Sequence, residues 1–178
     1  MWSKCWALTL GALLYLSAPA FGAVVVTDDG GGVITTYEQR YAALKAADEL
    51  VIIDGHCISA CTLVFAIMPR SNMCVTERAS FGFHNAYTKA PMGGYQFSQL
   101  GTDMVYKPYP SALKALLKQK GWEGGELPGW REGALVMVDW REAVEHLGIR
   151  ICTAQDFEPP SYRAAPDLIT RLRQWLAL

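Results

Sequence analysis

The hydrophobic pattern of the chain begins with a strand–helix–strand unit. Residues 23–27 and 50–53 are short β-branched apolar runs, which predict two buried strands. Between them, Thr35 and Glu38 have the spacing of a capping box, and the apolar positions that follow predict a helix to about residue 47. A unit of this size implies a parallel pair of strands with a right-handed crossover.

The rest of the chain continues to alternate between short strands and helices. The apolar run 62–68 stops at Pro69, which predicts a helix. Residues 85–109 contain a Gly-Gly pair and several aromatics, and predict a long irregular loop that lines a site. The other predicted elements are strands at 72–76, 80–83, 134–138 and 149–152, helices at 111–120 and 139–148, and an amphipathic terminal helix.

The N-terminal residues predict a secretory signal peptide. Lys4 is followed by an apolar run that is too short to span a membrane comfortably, and then by small residues. We expect cleavage after Ala20, with Gly22 as the alternative, and a periplasmic or secreted protein. The predicted organisation is a signal peptide at 1–20, one domain at 21–152 and a C-terminal tail at 153–178, with no later membrane span.

Composition narrows the classes of partner. Cleavage after residue 20 leaves 158 residues, enough for a single domain with its own core. The remaining 15 basic and 17 acidic residues give a net charge of −2, which does not favour nucleic acid or an anionic membrane as a partner. The sequence predicts no cofactor and no metal.

Four cysteines remain after cleavage: Cys57, Cys61, Cys74 and Cys152. An even number in an exported protein indicates two disulfides, for which three pairings exist. A metal site built from His56 with Cys57 and Cys61 is the alternative, but it lacks a tight C-x-x-C pair. Because Cys61 and Cys74 fall on successive predicted elements, we predict the pairs Cys61–Cys74 and Cys57–Cys152.

Ser59 stands where the strand at 50–53 gives way to the helix at 62–68. A hydroxyl at such a turn lies near free backbone N–H groups and the positive end of the helix dipole, which suits a nucleophile whose attack generates an oxyanion. The simpler interpretation is an N-cap serine. His84 follows a predicted strand, where α/β folds place functional groups, although a lone histidine there is more often structural.

Three motifs in this order resemble the Clp-protease/crotonase superfamily. They are Gly31-Gly32-Val33-Ile34, Gly55-x-x-x-Ser59-Ala60 and Phe83-His84-Asn85. The separation of 25 residues between the serine and the histidine is the same as in the Clp proteolytic subunit. The segment 143–149 resembles a late helix of that subunit, and exported bacterial proteins that share its core are similar as well. The resemblance covers roughly residues 24–150.

This resemblance implies an α/β fold with a spiral core of parallel strands and crossover helices, here shortened at its N-terminal end and braced by disulfides. It implies that Ser59 is the nucleophile, His84 the general base, and the N–H groups of Gly32 and Ala60 the oxyanion hole. Leu135 stands where the family has its orienting aspartate. Glu132 is therefore our preferred acid, because Asp139 is already explained as a helix cap.

The expected function is an exported serine hydrolase with peptidase-like acyl transfer on a peptide or acyl substrate. The alternative is a catalytically decayed, Clp-protease-like binding or envelope protein without enzyme activity. A homo-oligomer is compatible with either. The feature that separates the two is whether the hydroxyl of Ser59 lies within hydrogen-bond reach of His84.

Overall fold

A computed structural model describes residues 22–129 and 133–158 of the chain. The strands are β1 (Ala23–Asp29), β2 (Leu50–Ile58), β3 (Met73–Val75), β4 (Ser80–Phe83), β5 (Tyr87–Lys89), β6 (Tyr95–Phe97), β7 (Val136–Asp139) and β8 (Arg150–Ile151). The helices are α1 (Ile34–Ala46), α2 (Val64–Ile67), α3 (Gln99–Tyr106), α4 (Ser111–Gln119) and α5 (Trp140–Leu147), with 3-10 turns at Ser59–Leu63, Arg70–Asn72 and Ala154–Phe157.

Three of the sequence predictions lie outside the described residues: the signal peptide at 1–20, the acid Glu132 and the amphipathic terminal helix. Within the part of the chain that is described, no helix has the length and apolar character needed to cross a membrane.

The mixed α/β class is confirmed, and β2 is the centre of the main sheet. One edge of β2 pairs with β1 along its length, as the predicted parallel unit requires. The other edge is shared: its first half pairs with β3 and its second half with β4, both in parallel. β8 extends the sheet beyond β3 in parallel, and β7 pairs with β4 in antiparallel. Because two strands share one edge of β2, the sheet curls.

β2 contains a bulge opposite β1, and the bulge includes a glycine. Val26 is in register with Ile53 and Asp28 with His56, so that two residues of β2, Asp54 and Gly55, lie opposite the single residue Thr27 of β1. A Cβ at Gly55 would lie only 1.4 Å from the Thr27 carbonyl oxygen, so no side chain fits at that position. The close approach carries the end of β1 alongside the end of β2, where Asp29 is in register with Cys57.

Alternation along β2 divides its buried residues between two apolar clusters. Val51 and Ile53 face the larger cluster, which includes Tyr41 of α1, Phe81 of β4 and Leu113 of α4. The intervening residues face a smaller cluster on the opposite side, formed by Leu50, Ile52 and Cys74 with Ala23 and Cys152 packed against it. Burial on both faces is typical of a parallel strand in the interior of a sheet.

The predicted disulfide pairing is wrong. The structure pairs Cys57 with Cys61, four residues away, and Cys74 with Cys152, seventy-eight residues away. Cys57 and Cys61 belong to the larger apolar cluster, whereas Cys74 faces the smaller one, so the sheet separates the two halves of the predicted Cys61–Cys74 bridge. With both thiols joined in a disulfide, neither Cys57 nor Cys61 is available as a thiolate ligand beside His56.

Two predictions of local structure are also corrected. The predicted capping box at Thr35 and Glu38 does not form, because α1 begins at Ile34 and Val33 occupies the cap position without a side-chain hydrogen bond. The predicted loop at 85–109 contains the β5–β6 hairpin and α3, which begins where the Ser98 side chain accepts a hydrogen bond from the Gly101 N–H.

The cap interpretation of Asp139 is confirmed. Its side chain accepts a hydrogen bond from the Glu142 N–H at 2.9 Å, and the Glu142 carboxylate accepts one from the Asp139 N–H at 3.0 Å. α5 ends at Gly148, which has a positive φ of 67°. The helix predicted at 111–120 is likewise present as α4.

Candidate functional site

Ser59 has a backbone conformation that is rare for a residue with a side chain. It lies directly after β2, as the first residue of a 3-10 turn, with φ of +59°. Left-handed backbone costs a non-glycine residue about 1–2 kcal/mol. The N-cap interpretation of Ser59 is wrong, because Ile58 occupies the cap position and the turn has no side-chain cap.

A buried hydrogen-bond chain holds the carbonyl of Ser59. The Thr62 hydroxyl donates to the Ser59 carbonyl oxygen at 2.5 Å, and the Tyr109 hydroxyl lies 2.6 Å from the Thr62 hydroxyl. Since Thr62 has a single hydroxyl proton, Tyr109 donates to Thr62. The neighbouring turn is tied as well, because the Tyr41 hydroxyl donates to the Cys61 carbonyl at 2.9 Å. Several bonds thus fix a conformation that the local sequence disfavours.

The glycine turn between β1 and α1 packs directly against Ser59. Gly31 has φ of +81°, and a Cβ there would lie 2.6 Å from the Ser59 Cβ and 2.8 Å from the Ala60 nitrogen. Within the described ranges, the Gly32 N–H has no hydrogen-bond acceptor, and the Ala60 N–H is in the first turn of the 3-10 segment, where N–H groups have no acceptor within the helix. Both are therefore available to a ligand beside Ser59.

His84 is oriented by the backbone that follows it. Its Nδ1 lies 2.7 Å from the Asn85 carbonyl oxygen, which can only accept, so Nδ1 carries a proton and donates it. In the neutral ring, the lone pair is then on Nε2. Burial lowers the pKa of His84, and the hydrogen bond to Asn85 partly offsets this. His84 is therefore neutral at pH 7, and its Nε2 can accept a proton.

One cavity of about 530 Å³ collects these groups. Ser59, Ala60 and His84 line it together with the glycine turn. The rest of the wall is mainly apolar and comes from the start of α1, the start of the β5–β6 hairpin and α3, through Val33, Ile34, Ala86, Tyr87, Met104 and Val105. Among the described residues that line it, none is an aspartate, glutamate, lysine or arginine, so this part of the cavity suits an uncharged group of small-ligand size.

The cavity brings together four of the predicted site residues: Ser59, His84, Gly32 and Ala60. Their catalytic roles stay predictions, because no hydrogen bond joins Ser59 to His84 in the described structure. The identity of the acid also stays open. Glu132 lies outside the described residues, and the only ring-nitrogen partner of His84 within those residues is the Asn85 carbonyl.

The sequence did not reveal the residues whose hydrogen bonds fix the backbone of the site, as distinct from those that line the cavity. Thr62 and Tyr109 are 47 positions apart, and Asp29, which accepts a hydrogen bond from the Gly31 N–H at 2.9 Å, looks like an ordinary turn residue. A local signal existed only for Asp29, since an aspartate two positions before a glycine is typical of an Asx turn.

The structure is similar to that of a mutant ClpP1 from Listeria monocytogenes, with a TM-score of 0.43 and 8% sequence identity over 77% of this chain and 78% of that chain. No family model and no curated protein matches the sequence. The roles of Ser59 and His84 therefore have to be inferred from the geometry of the cavity itself.

Proposed function

We propose that the protein is a serine hydrolase in which Ser59 is the nucleophile. The observation that carries the proposal is the backbone of Ser59: a non-glycine residue with φ of +59°, without a capping role, on the wall of the cavity that His84 also lines. Strained backbone of this kind is concentrated at functional sites, and nucleophilic serines are found on sharp strand-to-helix turns.

The proposed reaction is acyl transfer. The Ser59 hydroxyl attacks the carbonyl carbon of an ester or amide, and its proton passes to Nε2 of His84. The negative charge that develops on the carbonyl oxygen is stabilised by the N–H groups of Gly32 and Ala60. His84 then gives the proton to the leaving alcohol or amine. Water then attacks the acyl-enzyme as His84 takes its proton, and the acid is released when the bond to the Ser59 oxygen breaks and His84 returns the proton to that oxygen.

The cavity wall supports a substrate class. Ile34, Met104 and Val105 form an apolar surface beside the reacting groups, and no carboxylate, ammonium or guanidinium group from residues 22–129 or 133–158 lines the cavity. We therefore propose acyl groups or peptides with an uncharged apolar side chain next to the scissile bond. An acidic or basic group at that position would lose its hydration without gaining a partner.

The two disulfides support export. Stable disulfides are typical of oxidising compartments, and the structure is compatible with an extracellular location. We propose that the signal peptide expected at 1–20 directs the protein to the periplasm or out of the cell. We also propose that the curled sheet belongs to the spiral core of the Clp-protease/crotonase superfamily.

Labelling with a serine-directed fluorophosphonate tests the proposal. We expect the oxidised full-length protein to be labelled at Ser59, and both Ser59→Ala and His84→Ala to abolish labelling in folded protein. Ser80 and His56 provide a matched control, because the Ser80 hydroxyl and His56 Nδ1 are 2.6 Å apart but lie outside the cavity. Ser80→Ala and His56→Ala should leave labelling unchanged. Labelling that survives Ser59→Ala, or an unlabelled wild type, rejects the proposal.

The pH dependence of labelling gives an independent prediction. His84 acts as a base only when neutral, so the labelling rate should rise with pH as the ring loses its proton and then reach a plateau. Because burial lowers the pKa of His84, the midpoint should fall below the ordinary histidine value of about 6.5, and the rate should be near its maximum at pH 7. A midpoint above pH 7 contradicts the assignment of His84 as the base.

A binding protein without catalysis is the second candidate. It is favoured by the lack of a hydrogen bond between Ser59 and His84 and of a carboxylate on the His84 ring, both judged over residues 22–129 and 133–158. A folded protein that resists the fluorophosphonate at pH 8, yet binds an uncharged acyl amide in the cavity, would support this candidate over the hydrolase.

A further inference from the structure

Asp29, the last residue of β1, accepts three hydrogen bonds around the start of the glycine turn. Its Oδ1 accepts from the Gly31 N–H at 2.9 Å and from the Tyr37 hydroxyl, and its Oδ2 accepts from Arg40 Nη1 at 3.1 Å. Tyr37 and Arg40 are three residues apart on one side of α1. One carboxylate thus joins the end of a strand, the turn that follows it and the next helix.

The surroundings of Asp29 strengthen these bonds. Its side chain is only 14% exposed, so the ion pair with Arg40 is less screened than a pair at the open surface. Burial, and then the hydrogen bond to Asp29, raise the pKa of Tyr37 to about 12, so its hydroxyl remains a donor throughout the neutral range. Hydrogen bonds to an ionised carboxylate are stronger than bonds between neutral groups.

The turn that Asp29 holds is in contact with the proposed nucleophile. Gly31 approaches Ser59 so closely that a Cβ would lie 2.6 Å from the Ser59 Cβ, and the next residue carries the proposed oxyanion donor. An oxyanion donor must lie about 2.7–3.1 Å from the developing charge, and a displacement of about 1 Å can slow a reaction about 100-fold. The position of Gly31 therefore sets the position of the Gly32 N–H.

We propose that Asp29 is a positioning residue for the oxyanion donor Gly32, an inference that rests on the serine hydrolase proposed above. Asp29 does not line the cavity and so does not touch the substrate. It acts by giving the Gly31 N–H a fixed acceptor. The requirement is the acceptor oxygen Oδ1, and the negative charge opposite Arg40 is secondary.

Three variants of the full-length oxidised protein separate the contribution of the acceptor oxygen of Asp29 from that of its negative charge. Asp29→Ala removes the acceptor, Asp29→Asn keeps an oxygen for Gly31 but loses the charge, and Arg40→Gln removes the charged partner while leaving the Gly31 bond intact. The probes are the rate of fluorophosphonate labelling and the hydrolysis of p-nitrophenyl butyrate. For Asp29→Ala, we expect labelling and kcat to fall at least about 10-fold with KM within about threefold. For Asp29→Asn and Arg40→Gln, we expect both rates within about threefold of wild type.

A measurement that needs no catalysis accompanies these rates. The exchange of the Gly31 amide hydrogen, followed by NMR, should accelerate at least about 10-fold in Asp29→Ala and remain near wild type in the other two variants. A purely structural role for Asp29 would lower the free energy of unfolding without changing kcat of the folded protein.

The outcomes distinguish this inference from the proposed function. Unchanged Gly31 exchange in Asp29→Ala overturns the inference, whatever the reactivity of Ser59. Unchanged kcat in Asp29→Ala, with an active wild type, also overturns it, as does an equal loss of rate in Asp29→Asn. A wild type that neither reacts with the fluorophosphonate nor hydrolyses the ester refutes the hydrolase and the catalytic role of Asp29, and the exchange measurement then decides only whether Asp29 holds the turn.

Discussion

The two disulfides differ in both reach and surroundings. Cys57–Cys61 closes a loop of five residues with Ser59 at its centre, within the larger apolar cluster. Cys74–Cys152 joins β3 to the residue after β8, seventy-eight positions later, on the opposite face of the sheet. The first bridge constrains one turn, whereas the second constrains most of the domain. We infer that the first serves the geometry of the site and the second serves the stability of the fold.

Loop-closure entropy gives this contrast a magnitude. A cross-link stabilises a protein mainly by restricting its unfolded chain, and the effect increases with the length of the closed loop. The relation gives about 4.5 kcal/mol for a loop the size of Cys74–Cys152 and about 2 kcal/mol for one the size of Cys57–Cys61. Stability and reactivity should therefore respond differently to the loss of each bridge.

Removal of the long-range bridge has the largest expected effect. The double variant Cys74→Ala, Cys152→Ala should lower the free energy of unfolding by about 4 to 5 kcal/mol, measured by urea denaturation. The protein that remains folded should still react with the fluorophosphonate at a rate within about twofold of wild type. A loss of reactivity in excess of the loss of folded protein would contradict the division of roles.

Removal of the short bridge should have a smaller effect on stability and a larger effect on the reactivity of Ser59. Cys57→Ala, Cys61→Ala should lower the free energy of unfolding by about 2 kcal/mol, and the labelling rate of the folded protein should fall at least about 10-fold. The physical reason is that Ser59 loses the cross-link that encloses its left-handed backbone. An unchanged labelling rate would mean that hydrogen bonds alone hold Ser59.

Those hydrogen bonds give the smallest expected effect. Thr62→Val keeps the shape of the side chain but leaves the Ser59 carbonyl and the Tyr109 hydroxyl without their partner, which should cost about 1 to 2 kcal/mol of stability and slow labelling several-fold. Tyr109→Phe is the matched control, because Thr62 can still donate to Ser59. Equal slowing in both variants would assign the effect to packing rather than to the bond with Ser59.

The parts of the fold that follow a repeating pattern could be predicted from the sequence. The β1–α1–β2 unit, α4 and the capped α5 were predictable because apolar spacing, Asp139 and Gly148 are local signals. The β5–β6 hairpin was missed although Gly93 and Gly94 mark its turn, because its strands are short and mostly exposed. The disulfide pairing failed because the face of the sheet that each cysteine occupies depends on strand register.

In the candidate site, the residues could be predicted from the sequence but the backbone conformation of Ser59 could not. Ser59, His84, Gly32 and Ala60 could be selected because each stands at a recognisable junction between elements, and they line one cavity. The positive φ of Ser59 could not be predicted, since it is imposed by contacts from Thr62, Tyr109 and the Cys57–Cys61 bridge. Thr62 and the bridge are close to Ser59 in sequence, but Tyr109 comes from a segment 47 positions after Thr62, and which groups bond to each other depends on the folded structure.

The order of the cysteines along the chain also has a consequence for biosynthesis. The two bridges are consecutive, because Cys57–Cys61 is complete before Cys74 is reached, and no bridge encloses a cysteine of the other. Loops of about ten residues close within about 10–100 ns, far faster than oxidation, so the first pair can meet as soon as it is made. An oxidase that joins each newly emerging cysteine to the last free one would give the native pattern without an isomerase. The final bridge would form only when the last strand arrives beside β3, and would then lock a sheet that is already assembled.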